Sequence, residues 1–248
     1  MPMQIDRKRT QKTLVISRKL EQYFGRPTEP PRRVLPLDML IATLLSQNTN
    51  DKNSHRAYQE LRKTFPSWEQ VLNARTKDIA AAIRVGGMAN QKSVRIKDIL
   101  GTVKAKFGAL KLNVLRKKST EEIFDLLCSF DGVGTKTAAC VLLFSLGREV
   151  FPVDTHIHRI CGRLGIAPSC KTPDQTFEWM KRLVPKGRSY SFHVNLIRFG
   201  RKICRATNPL CGKCPLYAHC VFDRKAIYRK LMSPIRLVDY EFMTLDHV

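Results

Sequence analysis

The amino-acid sequence predicts an all-α fold made of many short helices, and three observations support this prediction. Apolar residues recur at helical spacing along most of the 248 residues. Polar residues typical of helix starts precede several of these stretches. No segment alternates between apolar and polar residues for long enough to indicate a β-sheet.

The first helix that the spacing indicates clearly begins after Pro36. Apolar residues then follow at i, i+3, i+4, i+7 and i+8 spacing, at Leu37, Leu40, Ile41, Leu44 and Leu45. This spacing puts them on one face, so the helix is predicted to be buried.

Three later helices are predicted from capping signals, in which a Ser or Thr is followed three residues later by Gln or Glu. The pairs are Ser67 with Gln70, Ser119 with Glu122, and Thr172 with Gln175. Two glycines, Gly147 and Gly200, are predicted to end helices, because glycine readily adopts the backbone conformation found just after a helix.

The chain is predicted to form two lobes and a tail. A compact helical barrel is expected at residues 30–148, and a second lobe combines residues 1–29 with residues 149–230. Residues 231–248 are richer in acidic residues and have no readable role. We expect the chemistry in a cleft between the lobes, since ligand sites often lie at domain interfaces.

The formal net charge of +23 is concentrated in two regions. Residues 75–118 hold twelve Lys and Arg against two acids, and residues 181–230 hold thirteen against one. Nucleic acid is the favoured partner, because diffuse positive charge binds a phosphate backbone favourably through counterion release.

A basic membrane-binding face would require a helix that also carries an aromatic stripe, which we do not find. Without an apolar run long enough to span a bilayer or a secretory signal, the chain is expected to be intracellular and to have no membrane partner.

Four cysteines near the C-terminus have the spacing C-x6-C-x2-C-x5-C and are candidate metal ligands: Cys204, Cys211, Cys214 and Cys220. A structural zinc site and an iron–sulfur cluster both remain open, and the wide first gap favours the cluster. The loop carries Lys213, so the metal would organise a basic surface. The other four cysteines, Cys128, Cys140, Cys161 and Cys170, are predicted to be core residues.

The chemistry is predicted to lie in a helix–turn–helix segment that begins at Ser119. The turn Asp131-Gly132-Val133-Gly134 precedes a second helix that starts at Thr135. Two glycines around one small apolar residue allow a turn that exposes backbone N–H groups, and the helix adds its positive end. Together with the net charge, this favours a helix-hairpin-helix that grips a DNA backbone without reading sequence.

Lys136 and Asp154 are the candidate catalytic residues. Lys136 is in the first turn of the second helix, where the macrodipole disfavours a cation and so favours a neutral, nucleophilic amine. Its alternative role is to bind phosphate. Asp154 follows an extended stretch and precedes an apolar-periodic helix, so it is a helix N-cap, a fixed anion that faces a developing cation, or both.

These motifs, in this order, resemble the endonuclease III group of helix-hairpin-helix DNA glycosylases. The matching segments are residues 130–138, the run Val153-Asp154-Thr155-His156 and the cysteine quartet. The resemblance covers most of residues 35–220. It implies a two-lobed fold in which a six-helix barrel lies beside a lobe with a 4Fe-4S cluster. It also implies that Lys136 is the Schiff-base nucleophile, that Asp154 is the essential carboxylate, and that the hairpin and His156 contact DNA.

Two further DNA-contacting positions follow from the resemblance. Residues 44–51 match the segment whose polar side chain fills the space left by an extruded base, and either Gln47 or Asn48 is the candidate. Residues 86–92 match the turn that inserts an apolar side chain into the duplex, which makes Met88 the candidate. The alternative for Met88 is an exposed loop residue without a role. Residues 46–49 also resemble plant 5-methylcytosine glycosylases, so the excised base stays open.

The function expected from these observations is base excision repair by a monomeric, bifunctional DNA glycosylase and AP lyase. Its partner would be double-stranded DNA with damaged pyrimidines or abasic sites, in the cytoplasm or nucleoid of a prokaryote or the nucleus of a eukaryote. Two alternatives are a monofunctional glycosylase in which water attacks, and a non-catalytic protein that binds bent DNA.

Overall fold

The protein is described by a computed structural model that covers residues 7–29 and 33–231. The all-α prediction is confirmed, because every regular element in these ranges is helical. The chain divides into two compact units. We call residues 33–148 the hairpin unit, and residues 7–29 with 149–231 the cysteine unit. Apart from Leu231, the predicted tail lies outside the described residues.

Seven α-helices form the hairpin unit. They are α2 (Pro36–Leu45), α3 (Asp51–Thr64), α4 (Trp68–Asn73), α5 (Thr76–Ala82), α6 (Ala89–Phe107), α7 (Thr120–Cys128) and α8 (Thr135–Cys140). Short 3₁₀ turns, Arg84–Gly86 and Asn113–Lys117, precede α6 and α7. Helix α8 continues into one π-helical turn, Val141–Ser145.

Helix α2 is the core of the hairpin unit. Nine of its ten residues are buried, and it packs against α3, α6 and α8. The predicted apolar face at Leu37, Leu40 and Leu44 is confirmed, with all three at most 2% exposed. Pro36 occupies the first turn, where its missing N–H has no helical partner to lose.

The cysteine unit contains α1 (Arg7–Phe24), α9 (Thr155–Arg163), α10 (Pro173–Met180), α11 (Ser189–Lys202) and α12 (Lys225–Lys230). Helix α11 is its centre, with eleven of fourteen residues buried, and it packs against α1 and α9. Two 3₁₀ turns, Cys211–Lys213 and Tyr217–His219, shape the loop that carries the predicted metal ligands.

The three helix starts predicted from capping signals are confirmed. Ser67 and Ser119 each accept a hydrogen bond from the backbone N–H three residues on, and the side-chain oxygen of the Gln or Glu at that position accepts one from the backbone N–H of the capping residue. Thr172 accepts from the backbone N–H of Gln175 at 3.2 Å. The capping signals predict these helix starts correctly because a cap is formed within one short stretch of chain.

One of the two predicted helix ends is wrong. Gly147 follows a helical segment with φ of +67°, as expected. Gly200, however, is inside α11. A Cβ at this position would lie 3.0 Å from Ile160 Cδ1 and 3.2 Å from His156 Cβ, so this glycine allows α11 to approach α9 closely.

The prediction that all four scattered cysteines are core residues is correct only for Cys140 and Cys161, which are buried. Cys128 is half-buried near the end of α7, and Cys170 is half-buried in the turn before α10. Cys128 is the last residue of its helix and Cys170 lies outside any helix, so neither is on the buried face of a helix interior. In the ranges that the structure describes, no helix is long and apolar enough to cross a membrane.

Candidate nucleic-acid interface and cysteine centre

The predicted hairpin is present between α7 and α8. The backbone N–H of Val133 donates to the carbonyl of Phe130 at 3.1 Å, and the Val133 side chain is buried, so the turn is anchored from inside. Gly132 has φ of +74°, a conformation that other residues adopt only at a cost. Gly134 is exposed and caps α8, whose first N–H groups have no partner within the helix.

Lys136 is the second residue of α8 and is half-buried. Its neighbours Ala138 and Ala139 are fully buried, and Thr137 is 2% exposed. The carbonyl of Gly134 accepts from the N–H groups of Thr137 and Ala138, which fixes the first turn of the helix. The amine is thus carried by a short helix with a rigid start.

Gln47 contacts the hairpin directly. Its side-chain Nε2 donates to the carbonyl of Gly132 at 3.0 Å and lies 3.4 Å from Thr137 Oγ1. The guanidinium of Arg95 also lies against this glycine, since a Cβ on Gly132 would be 2.8 Å from Arg95 Nε. The hairpin turn is therefore held by the segment that follows α2 and by α6.

The structure brings Asn48 and Met88 together. Asn48 Nδ2 lies 3.5 Å from Met88 Sδ, although the two residues are 40 positions apart. Both have left-handed backbone conformations, with φ of 53° and 52°. Asn48 is exposed, and Met88 is 47% exposed, so the pair forms an accessible projection of the hairpin unit. Holding two residues other than glycine in this conformation costs on the order of 1 kcal/mol or more each.

Lys92 is a residue that the sequence analysis did not identify as important. It lies in the apolar stripe of α6 with Ile96, Ile99 and Val103, and it is only 2% exposed. Its ammonium donates to the carbonyls of Leu45 at 2.8 Å and Gly86 at 2.9 Å. A lysine at a position where helical periodicity calls for an apolar residue is the signal that could have identified it.

Asp154 is the N-cap of α9. Its Oδ1 accepts from the backbone N–H of Ile157 at 2.8 Å, so the predicted capping role is confirmed. His156 is half-buried in the first turn, and its Nδ1 lies 3.2 Å from Nη2 of Arg159. The same Nη2 donates to the carbonyl of Cys204 at 2.8 Å, which joins the start of α9 to the cysteine loop.

The four cysteines of the predicted quartet line one cavity of the cysteine unit. Arg163, the last residue of α9, shares the cavity, and its Nη1 lies 3.5 Å from Cys204 Sγ. The Cys220 thiol donates to the carbonyl of Arg163 at 3.2 Å. Lys213 is exposed on the same loop.

Burial strongly affects the thiols of this cavity. It raises the pKa of Cys204, and it raises the pKa of Cys214 to about 12. Thiolates in such a place require positive charge, which a metal centre supplies. Within the described ranges, no three His, Cys, Asp or Glu side chains lie close enough together to hold one metal ion. The four cysteines offer soft sulfur donors, which is the ligand type that holds iron–sulfur clusters, so the residue types present fit a 4Fe-4S group.

Comparisons with known proteins agree on one family. The model of the HhH-GPD superfamily, described as base excision DNA repair proteins, matches residues 41–186. Endonuclease III of Thermotoga maritima is 36% identical over 190 residues, which are 77% of this chain and 84% of the relative. A protein of Arabidopsis thaliana with the provisional name of a DNA glycosylase is 44% identical over 168 residues. That match spans 68% of this chain and only 57% of the relative.

A solved structure has the same fold. It is a trapped covalent intermediate of an endonuclease III with DNA, and it matches with a TM-score of 0.75 at 24% identity. The match covers 88% of this chain and 98% of the solved chain. The predicted helix-hairpin-helix glycosylase fold is thereby confirmed.

Proposed function

Because the chain belongs to the HhH-GPD superfamily of base excision DNA repair proteins and is a DNA glycosylase of that superfamily, we propose that it is bifunctional. It removes damaged pyrimidines from duplex DNA and then cleaves the abasic strand. The observation that carries this proposal is Lys136, an amine at the start of the hairpin's second helix. The trapped covalent intermediate described for the structurally similar endonuclease III supports it.

DNA binding rests on charge and on the hairpin. A net charge of +23 attracts a phosphate backbone over long range, and binding releases the backbone's counterions. At close range, the N–H groups of the turn and of the α8 start are suited to a phosphate oxygen. These contacts position the enzyme and carry no sequence information.

The reaction begins with Lys136 as nucleophile. Its neutral amine attacks C1′ as the bond from C1′ to the base breaks, and the base leaves with the bonding electron pair and takes up a proton. One proton of the amine passes to the departing base and the other to the ring oxygen O4′, and the bond from C1′ to O4′ breaks as the ring opens to a Schiff base with C1′. Removal of a proton from C2′ then expels the 3′ phosphate, which cuts the strand.

Asp154 stabilises the positive charge that develops on the sugar as the base departs. Its carboxylate is held by the cap hydrogen bond to Ile157, so it does not have to reorganise during the reaction. We propose that Asp154 also helps to manage the proton of the incoming amine.

Asn48 and Met88 are the residues that we propose to enter the duplex. Gln47 hydrogen-bonds to the hairpin turn, whereas Asn48 is exposed beside Met88. Asn48 is therefore the better candidate to fill the space of the extruded base, and Met88 to separate the bases of the opposite strand. Extrusion costs a few kcal/mol and is easiest for lesions that pair poorly.

We propose that the cysteine quartet holds a 4Fe-4S cluster. When bound, this group supplies positive charge that ties four thiolates together and orders the basic loop around Lys213. No step of the reaction requires it. We also propose that His156 and Lys213 contact the phosphate backbone. The hairpin unit would correspond to the barrel lobe of the family, and the cysteine unit to its cluster lobe.

Borohydride trapping on a duplex with an abasic site tests the proposal. Borohydride reduces a Schiff base to a stable amine, so the wild-type protein should become covalently linked to the DNA. Lys136→Gln should abolish the link. Lys77→Gln removes the same charge from an exposed position of α5 and should leave trapping intact. Base release without trapping would identify a monofunctional glycosylase, and tight binding without either product would identify a non-catalytic binder.

The excised base requires a separate measurement. Single-turnover excision should be compared across duplexes that carry oxidised, mismatched or methylated pyrimidines. We expect oxidised pyrimidines to be removed fastest. A preference for 5-methylcytosine would contradict the substrate class proposed here and leave the lyase chemistry intact.

A further inference from the structure

Lys92 is an unusual residue because it is a cation in the core with two neutral partners. Only 2% of its surface is exposed, and burial lowers its pKa below the ordinary value for lysine. Burying an ammonium is costly unless its hydrogen bonds are satisfied. Its acceptors are backbone carbonyl oxygens, which have strong dipoles but no net charge.

The two carbonyls belong to two separate segments of the hairpin unit. Leu45 is the last residue of α2, and Asn48 follows three residues later. Gly86 is the last residue of a 3₁₀ turn, and Met88 follows two residues later. The Lys92 ammonium thus links two segments of the chain, one just before Asn48 and one just before Met88, the residues that are proposed to enter DNA.

Lys92 also fixes Met88 through its own backbone. Its N–H donates to the Met88 carbonyl at 2.9 Å, which is the first helical hydrogen bond of α6. The turn between Gly86 and Lys92 is therefore closed at both ends by the same residue. Its other side is fixed as well, since a Cβ on Gly86 would lie 2.9 Å from the Cβ of Ala57 in α3.

Lysine suits this role better than other residues do. The carbonyl of Leu45 is at the C-terminus of α2, where helix carbonyls lack partners and the macrodipole favours a cation. A lysine ammonium has three donors that rotate freely, so it can satisfy carbonyls that lie in different directions. The planar fork of arginine is less suited to two such acceptors.

We propose that Lys92 is a positioning residue that sets the separation of Asn48 and Met88, so that both enter the duplex in one event. This inference rests on the proposed function. Asn48 has to fill the space of the extruded base at the same time as Met88 separates the bases of the opposite strand, because either step alone leaves an unstacked base exposed to water. Misplacement of a positioned group by about 1 Å can cost about 100-fold in rate.

The test measures insertion rather than chemistry. A duplex carries a tetrahydrofuran abasic analogue, which cannot form a Schiff base, and the fluorescent base 2-aminopurine in the opposite strand. Insertion of Met88 unstacks the 2-aminopurine and raises its fluorescence. The signal is read at saturating protein, so that a weaker or less stable variant still occupies all of the DNA.

Lys92→Met is compared with Lys97→Met as the matched control. Lys97 is also on α6, and its ammonium also donates to a backbone carbonyl, that of Ala74 at 2.6 Å. We expect Lys92→Met to lose most of the saturating signal and to approach Met88→Ala, while Lys97→Met keeps the wild-type signal. An unchanged signal in Lys92→Met, or an equal loss in Lys97→Met, overturns the inference.

Two additional measurements cover a failure to fold and a failure of the proposed function. If Lys92→Met does not fold, Lys92→Arg replaces it and should give an intermediate signal, and a wild-type signal would contradict the inference. In the double variant with Met88→Ala, Lys92→Met should cause no further loss, because both act on one event. If wild-type protein bound to this duplex gives no signal, Met88 insertion and the inference both fail, whereas borohydride trapping reports on the lyase separately.

Discussion

Replacing Asp154 by Asn and by Ala separates its structural role from its chemical role. The carboxylate caps α9 through one hydrogen bond, 2.8 Å from the N–H of Ile157. Asparagine retains an oxygen that can accept this hydrogen bond but has no charge. Alanine removes both the acceptor and the charge.

The expected magnitudes follow from these contacts. Loss of a capping side chain costs about 1 kcal/mol, and loss of the anion at the positive end of a helix costs about 0.3–1 kcal/mol. The free energy of unfolding should therefore fall by about 1–2 kcal/mol in Asp154→Ala and by less than about 1 kcal/mol in Asp154→Asn. For a protein of this size, each kcal/mol lowers Tm by about 2–4 °C.

The chemical role should show a different pattern, in which the two variants are affected alike. If the carboxylate stabilises charge on the sugar, both variants should lose most of the single-turnover excision rate, by about 100-fold or more. Thermal unfolding followed by circular dichroism gives the first quantity, and excision from an oxidised-pyrimidine duplex gives the second. Wild-type excision by Asp154→Asn would refute the role of the charge, and an unchanged Tm in Asp154→Ala would refute the capping energy.

Three further predictions concern the hairpin, the core and the cysteine loop. Gly132→Ala should destabilise the protein by about 1–2 kcal/mol, because Gly132 has φ of +74°. Gly101→Ala is the control in an open position of α6 and should stabilise the protein by about 0.5–1 kcal/mol. Chemical denaturation measures the free energy of unfolding of both variants. Tyr58→Phe should cost about 1.5–3 kcal/mol at pH 7, since its hydroxyl donates to Asp38 at 2.7 Å. Burial and this carboxylate raise the pKa of Tyr58, so the hydroxyl's contribution to the free energy of unfolding is complete below the unfolded pKa of 10.0 and is lost progressively above it. The difference in unfolding free energy between wild type and Tyr58→Phe should therefore narrow above pH 10. A difference that widens there would contradict this linkage. Lys213→Ala should reduce the slope of log K against log salt by about 0.9 for one lost phosphate contact, and an unchanged slope would remove this loop from the DNA-binding surface.

Features formed within a short stretch of chain could be predicted from the sequence. The caps at Ser67 and Ser119 and the hairpin turn around Gly132 depend on residues within a few positions of one another. Their hydrogen bonds and backbone angles follow from local residue types. The buried face of α2 could be predicted for a similar reason, because its periodicity is a property of one helix.

Features that depend on distant partners could not be predicted. Gly200 has the residue type of a helix end, but its role is set by Ile160, 40 positions earlier in the chain. Lys92 stands out in an apolar stripe, yet nothing nearby shows that Leu45 lies within hydrogen-bond distance. The choice between Gln47 and Asn48 likewise depends on the hairpin, which is more than 80 positions away from Gln47.

Helix α9 connects the cysteine loop to Asp154, so damage to that loop can affect the position of the carboxylate. It begins at the Asp154 cap, and nine residues later it ends at Arg163, whose backbone and side chain bind Cys220 and Cys204. A helix of this length is about 13 Å long and transmits a displacement with little bending. Damage that displaces the cysteine loop would remove the contacts of the Arg163 side chain with Cys204 Sγ and with the carbonyl of Arg205, and would let the helix shift, so we expect such damage to slow catalysis.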